Sequence, residues 1–278
     1  MISIKDLDFY YRKKAQVFQN LNLNMDEGKI YGLLGKNGTG KSTLLKLISG
    51  VLFPKAGEVS INGITASDRN ADILQDIFFL SENYETPNIS IKEYLSANAA
   101  FFKKFDEQKF REIIRLFEVE FDSKLNNLSF GQRKKVLIAF GLATNARYLL
   151  LDEPTNGLDI PSKSQFRKVL LSGFKDDQIL IISTHQVRDL NQLIESVIII
   201  EDGQIIFNQH VNAIEDTLLF KNAISNSSDQ QVLHSEMIPG GYIHLLQNDQ
   251  KQASEVELEV LFNAVVSKTD EINQLFKS

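Results

Sequence analysis

Gly35, Gly40, Lys41 and Ser42 stand in the order G-x-x-x-x-G-K-[ST] within the octapeptide GKNGTGKS. Such spacing suits the grip of a polyphosphate. Glycines bring backbone close to an anion with no Cβ in the way. The loop Gly35, Lys36, Asn37, Gly38, Thr39, Gly40 can then offer its N–H groups to phosphate oxygens, and Lys41 adds a full charge. Ser42 is placed to ligate Mg2+, and Thr43 continues the contact set into the following helix. A nucleoside triphosphate carried with Mg2+ is the ligand these residue types predict.

Further residues could complete the chemistry. Asp152 and Glu153 close the apolar run Tyr148-Leu149-Leu150-Leu151. Asp152 suits the metal side of such a site, while Glu153 points elsewhere and can orient or deprotonate a water. Thr184-His185 ends another apolar run, Gln178 to Ser183, which sets a histidine at the ligand-bearing end of a strand. His210, His234 and His244 have no such setting. Leu128-Ser129-Phe130-Gly131-Gln132 opens a helix predicted to run to about Ala143. Ser129 is its N-cap, and the positive helix end is an anion site. Arg133, Lys134 and Lys135 fall at the start of that helix, where the macrodipole disfavours cations. They read as a solvated basic face or as partners for an anion arriving from outside.

The elements that must position these groups follow from periodicity. Ile30 to Leu34 predicts a buried strand before the glycine loop, and Leu44, Leu45, Leu47 and Ile48 a helix after it, stopped at Gly50. Strands at Ile2 to Tyr11, around Leu21 to Met25, and at Glu58 to Ile64 with an Asn62-Gly63 turn predict a small antiparallel sheet. Tyr10 or Tyr11 could stack on a base. A strand at Ile77 to Leu80 leads through Ser81-Glu82-Asn83 into helical patterns around Ile91 to Phe102 and Gln108 to Phe117. Their aromatic stripe, Tyr94, Leu95, Phe101, Phe102 and Phe105, reads mostly as core, with any exposed fraction suited to a partner helix. Gly157-Leu158-Asp159 predicts a tight turn before a helix from about Ser162. Beyond Gln204 come short strands at Ile205 to Phe207 and Tyr242 to Leu246, a Pro239-Gly240-Gly241 turn and a helical stripe from Leu258 to Phe276.

Composition limits the partners. A chain of 278 residues suits one large domain or a domain with an appendage. A net charge of −6 gives no electrostatic bias toward nucleic acid, and no nucleic-acid partner is expected. No cysteine is present, so disulfides and thiolate sites are excluded. No apolar run approaches the roughly 20 residues needed to span a bilayer, so membrane work would fall to another chain. The first residues carry no signal-peptide pattern, and a cytoplasmic location is expected.

Taken together, the motifs resemble those of the ATP-binding subunit of ABC transporters, over roughly Ile2 to Phe220. The sequence carries, in that family's order, an aromatic loop near Tyr11, Walker A (GKNGTGKS), signature (LSFGQ), Walker B (LLLDE), D-loop (GLD) and H-loop (STH). The resemblance implies an α/β fold: a P-loop NTPase core of RecA-like type with an antiparallel β subdomain and an inserted α-helical subdomain. It implies an ATP-binding domain over 1–220, with the helical part about 86–145, and leaves 221–278 as a small α+β appendage. By resemblance, Lys41 and Ser42 hold phosphate and Mg2+, Asp152 supports the metal, Glu153 is the general base and His185 meets the γ-phosphate. Ser129, Gly131, Gln132 and Asp159 would serve a site shared with a second subunit, identical or different.

Two positions depart from the family pattern. Phe130 stands where the signature LSGGQ has its first glycine, and Glu82 stands where the Q-loop glutamine is expected. A carboxylate can approach a metal but cannot donate as an amide does. An acid there resembles the branch paired with separate exporter-type permeases. The expected function is ATP-driven dimerisation and hydrolysis that moves a separate transmembrane permease, from the inner face of the cell membrane and toward export. Alternatives of other classes are a soluble ABC-type ATPase acting on a macromolecular partner, and a weakly hydrolysing regulatory subunit.

Overall fold

The computed structural model describes residues 1–12, 15–191, 193–225 and 232–277. The chain opens with β1 (Ile2–Tyr10) and β2 (Gln16–Met25), an antiparallel pair whose alternating burial puts Ile2, Ile4, Leu7, Leu21, Leu23 and Met25 on one face. Strand β3 (Lys29–Leu34) leads into the glycine loop and α1 (Lys41–Ile48). Strands β4 (Ala56–Ile61) and β5 (Ile64–Thr65) then complete a four-stranded sheet of order β2-β1-β4-β5. A single turn, α2 (Ala71–Leu74), precedes β6 (Ile77–Leu80).

Helices α3 (Ile91–Asn98), α4 (Glu107–Leu116) and α5 (Phe130–Ala143) follow, before β7 (Tyr148–Asp152), α6 (Ile160–Gly173) and β8 (Ile179–Thr184). Each long helix here has a side-chain cap: Ser90 and Ser129 in capping boxes, Asp106 and Asp159 as single acceptors. The remaining strand of the large sheet, β9 (Ser196–Glu201), pairs with the edge strand β10 (Gln204–His210). The sheet order is β10-β9-β3-β8-β7-β6, parallel except at the β9–β10 edge.

The period of two along these strands sorts their side chains into two cores. Leu149, Leu151, Leu180, Ile182, Val197 and Ile199 face the helical side. Tyr148, Leu150, Ile179, Ile181, Ile198 and Ile200 face α1 and the antiparallel sheet. Within the helical region Phe102 and Phe105 pack on Phe140, whereas Phe101 is 71% exposed.

The C-terminal region is α7 (Val211–Thr217), a sheet of order β11-β13-β12 built from β11 (Leu218–Ala223), β12 (Val232–Ile238) and β13 (Gly241–Gln247), then α8 (Leu258–Ser267) and α9 (Thr269–Gln274). Strand β11 runs across the 220/221 position at which the sequence suggested a boundary. The tail stripe is broken into two helices at Lys268, whose backbone leaves the helical region. Leu258, Leu261, Val265 and Ile272 join the same hydrophobic cluster as Leu180 and Ile182 of β8. Appendage and sheet thus share one core.

Leu261 is fully buried in that shared cluster. Leu261→Ala is expected to cost about 3 kcal/mol, within the range for buried leucine truncations. Urea unfolding should show one transition moved to lower denaturant. A separate early transition of the C-terminal region would contradict the shared core.

Candidate active site

Strand β8 lies between β3 and β7, and the register fixes what meets at their ends. Leu34 is opposite Thr184, and Asp152 is opposite Ser183. The glycine loop, Asp152-Glu153 and Thr184-His185 therefore emerge side by side at the carboxyl edge of the sheet, where open α/β sheets take their ligands.

The loop is shaped to receive an anion. Gly38 and Gly40 have φ of 84° and 109°, in the left-handed region that favours glycine. Gly40 is the N-cap of α1, so the helix's unpaired N–H groups open onto the loop. Lys41 is buried, and its Nζ donates to Gly35 O (2.7 Å) and Lys36 O (3.0 Å). Glu153 Oε1 lies 3.8 Å from the same nitrogen. Burial holds the Lys41 ammonium below its ordinary pKa, opposed by the charges of Glu153, Asp152 and Glu82. Thr39 Oγ1 donates to Lys36 O, and Lys36 Nζ pairs with Glu201 at 2.9 Å. Asn37 and Gly38 are exposed, and Ser42 is partly exposed. Tyr11 is 57% exposed, with its hydroxyl 3.0 Å from Thr43 Oγ1, so an aromatic face stands beside the loop-to-helix junction.

Glu153 is held from every side. Its Oε1 receives His185 N at 3.0 Å and lies 2.7 Å from His185 Nδ1, and its Oε2 accepts from Thr184 Oγ1 at 3.1 Å. Its backbone has φ 47°, a left-handed conformation that costs a non-glycine residue roughly 1–3 kcal/mol and persists only where its surroundings impose it. Glu153 N donates to Ser183 O, and Glu153 O accepts from Lys134 Nζ at 2.9 Å. Asp152 accepts from Ser183 Oγ at 2.5 Å. Glu82 Oε1 accepts from Asn156 Nδ2 at 3.0 Å, which ties the loop after β6 to the turn after β7.

The donor set suits Mg2+. Ser42, Asp152 and Glu82 offer hard oxygens, while among the described residues no three His, Cys, Asp or Glu side chains make a cage of their own. Mg2+ is usually held by one or two carboxylates together with substrate phosphates, so this sparse set fits an ion that arrives with a nucleotide.

Ser129 and Gln132 form a reciprocal cap at the start of α5: Gln132 N donates to Ser129 Oγ (3.2 Å) and Ser129 N to Gln132 Oε1 (3.0 Å). Both are exposed. With Gly131, Gly157 and Asp159 they line a groove of about 640 Å³ that includes no residue of the glycine loop. A Cβ on Gly131 would stand 2.9 Å from Gly157 O, so the close approach of α5 to the Gly157 turn requires glycine. Asp159 caps α6 by accepting from Ser162 N at 2.9 Å. The structure therefore gathers Lys41, Asp152, Glu153 and His185 in one cluster and sets Ser129, Gly131, Gln132 and Asp159 around another.

One expectation is corrected. Lys134 belongs to no solvated basic face: it has no exposure, and its Nζ donates to Glu153 O and to Asn156 O (2.8 Å). The helical period carried a signal for this, because Leu137 and Ile138 stand three and four residues on, on the same face. Two other partners of the site, Tyr84 and Asn156, sit in no motif of their own. Tyr84 stacks on Phe130 at 5.5 Å between centroids and donates its hydroxyl hydrogen to Phe130 O at 3.1 Å.

Burial lowers the Lys134 ammonium from 10.5 to about 8, against the opposing charges of Glu82, Glu153 and Asp152. A base whose folded pKa is depressed adds stability that is complete above its unfolded value and lost as pH falls through the folded one. Unfolding free energy of the parent chain should therefore rise relative to Lys134→Met between about pH 8 and pH 10. Parallel curves for the two proteins in chemical denaturation would refute the shift. The lower edge of this window lies well below the range in which Tyr31, Tyr84 and Tyr148, each pushed up to about 12, begin to titrate.

A family model described as ABC transporter matches residues 18–156, half of the chain. The bacitracin transport ATP-binding protein BcrA of Bacillus licheniformis is 30% identical over 213 residues, covering 74% of this chain and 68% of that one. The dimeric structure of a bacterial ABC transporter cassette superposes with a TM-score of 0.66 at 26% identity, over 76% of this chain and 98% of the other. The same cassette in a post-hydrolysis state, bound to ADP and Pi, is equally similar. The order of motifs, the strand-edge site and these relatives converge: the chain belongs to the ABC transporter family, as an ATP-binding subunit and ATP hydrolase.

Proposed function

We propose that two such subunits, identical or different, close around two Mg·ATP and drive conformational change in a separate transmembrane permease. The observation that carries this proposal is the separation of two half-sites on one chain. The glycine loop grips a triphosphate from one side, and the exposed Ser129 end of α5 lies around a different groove. A two-fold axis would bring each half-site against the other kind on the sister subunit.

In the proposed site Lys41 and the amides of residues 35–40 bind the β- and γ-phosphates, and Tyr11 stacks on the base. Ser42 and Asp152, with Glu82 nearby, would hold Mg2+, which when bound polarises the phosphoryl oxygens. Ser129, Gly131 and Gln132 would meet the sister subunit's γ-phosphate, with Asp159 on the facing turn.

The hydrogen bonds suggest how hydrolysis waits for nucleotide. Both carboxylate oxygens of Glu153 are engaged, by His185 and Thr184, and Lys41 is turned onto loop carbonyls. A γ-phosphate competes for the same two side chains, His185 and Lys41. Drawing His185 and Lys41 onto phosphate frees Glu153 Oε1 to take a proton from water as that water attacks phosphorus. ADP and inorganic phosphate then leave, and the glue between subunits is lost, an order change of the kind γ-phosphate contacts define in other NTPases.

Among the described residues no helix is long and apolar enough to cross a membrane, which supports a peripheral place beside a permease on the inner membrane face. Exposed Phe101 in the helical region, together with the Glu82 loop, is the proposed docking face. Glu82 at the Q-loop position supports export as the direction. The transported substrate is read by the permease.

Glu153→Gln is expected to retain ATP affinity within about threefold, lower turnover by at least roughly 100-fold and elute as a dimer with ATP. Nucleotide binding, phosphate release and size-exclusion chromatography check these together. A monomer with full ATPase activity would rule the shared-site arrangement out.

A further inference from the structure

Lys134 is a fully buried cation to which neither phosphate binding nor water activation assigns a role. Replacing a buried charge by an apolar residue of similar volume is often neutral or stabilising, so folding stability alone does not call for an ammonium there. Its hydrogen bonds are specific. One goes to the carbonyl of Glu153, the residue held at φ 47°, and one to the carbonyl of Asn156, whose side chain grips Glu82. The Lys134 stem rises from α5, five residues beyond Ser129 and roughly 7.5 Å along the axis. Its ammonium lies 5.1 Å from the centre of the Phe130 ring, which packs against the Gly157 turn.

We propose that Lys134 is a positioning residue for Glu153, a strut that fixes the strained backbone of the base from the same helix that carries the signature end. The proposal rests on Glu153 being the base and Ser129 meeting the sister subunit's nucleotide. Phosphate arriving at Ser129 pulls on the N-terminal turn of α5. Lys134 passes that displacement to the Glu153 carbonyl, and with it to the angle of the carboxylate, without touching nucleotide itself. Each site would then sense, through one side chain, that the opposite site is filled.

A double-variant comparison tests this. ATP turnover, KM for ATP and melting temperature are measured for the parent, Lys134→Met, Glu153→Gln and the double variant. Lys134→Met should lower kcat by roughly 30- to 100-fold with KM within about threefold, the scale of a base misplaced by about 1 Å. In the Glu153→Gln background the same change should lower residual turnover by less than about threefold, because there is no base left to misplace. Equal fractional losses in the two backgrounds, or a rise in KM that accounts for the effect, would overturn the proposal. Lys134→Gln keeps an amide donor on a shorter stem, and its kcat should fall between parent and Lys134→Met. It carries the same comparison if Lys134→Met does not fold. Parent and Glu153→Gln alone report on Glu153 as the base: full turnover in Glu153→Gln would remove that assignment, and the strut with it.

Discussion

The buried carboxylate of Glu153 is the constraint around which the rest of the site is arranged. A carboxylate at 2% exposure is expensive unless every lone pair finds a partner. Here the partners are the Thr184 hydroxyl, His185 through amide and ring, and the nearby Lys41 ammonium. Each comes from a neighbouring strand end or from the first turn of α1, just after the glycine loop. Any anion that draws Lys41 or His185 away must change what Glu153 does. In the proposed site, ligand binding and the freedom of the Glu153 carboxylate would therefore be coupled by charge satisfaction, with no moving part required beyond side chains.

The fold supplies that coupling through strand order. With β8 between β3 and β7 in parallel register, residues far apart in the chain end within hydrogen-bond reach. Continuous apolar runs on both sheet faces keep these strands dry, and the dryness strengthens each polar contact at their ends. The appendage adds to the same core, and Phe262 of α8 lines a hollow of about 260 Å³ with Lys36, Asn37 and His185. A region that matches no motif thus packs beside the glycine-loop edge of the sheet.

Much of this was legible in the sequence because it is local. A buried parallel strand reads as an apolar run, and the glycines and capping residues announce turns and helix starts. The Ser129 cap and the three strand ends follow from residues within a few positions of one another, whereas the turn expected at Gly157-Leu158-Asp159 lies slightly earlier, over 154–157, with Asp159 capping α6. What escaped depends on distant partners. Lys134 resembles its neighbours Arg133 and Lys135 in composition, yet the helical period turns it inward onto carbonyls of another segment. Nothing near Glu82 names Asn156, and nothing near Leu261 names Leu180 as a neighbour in the same core. Such contacts are set by how layers stack.

Phe130 shows how a departure from a family pattern can be weighed physically. It is the first residue of α5 and has ordinary helical backbone, so no left-handed conformation demands glycine there. The residue is 45% exposed, with its ring stacked on Tyr84 and set against Gly157, where a Cβ would come within 2.6 Å of it. Gly157 itself is held at φ 78°, which favours glycine, and a Cβ on it would also meet the Phe130 ring unless that ring moved aside. Gly131 is different. A Cβ there would press on the backbone oxygen of Gly157, which cannot yield as a flexible side chain can. Of the two signature positions, the second is the one whose glycine the packing requires. The first is free to carry an aromatic that braces the Glu82 loop, the signature helix and the Gly157 turn against one another.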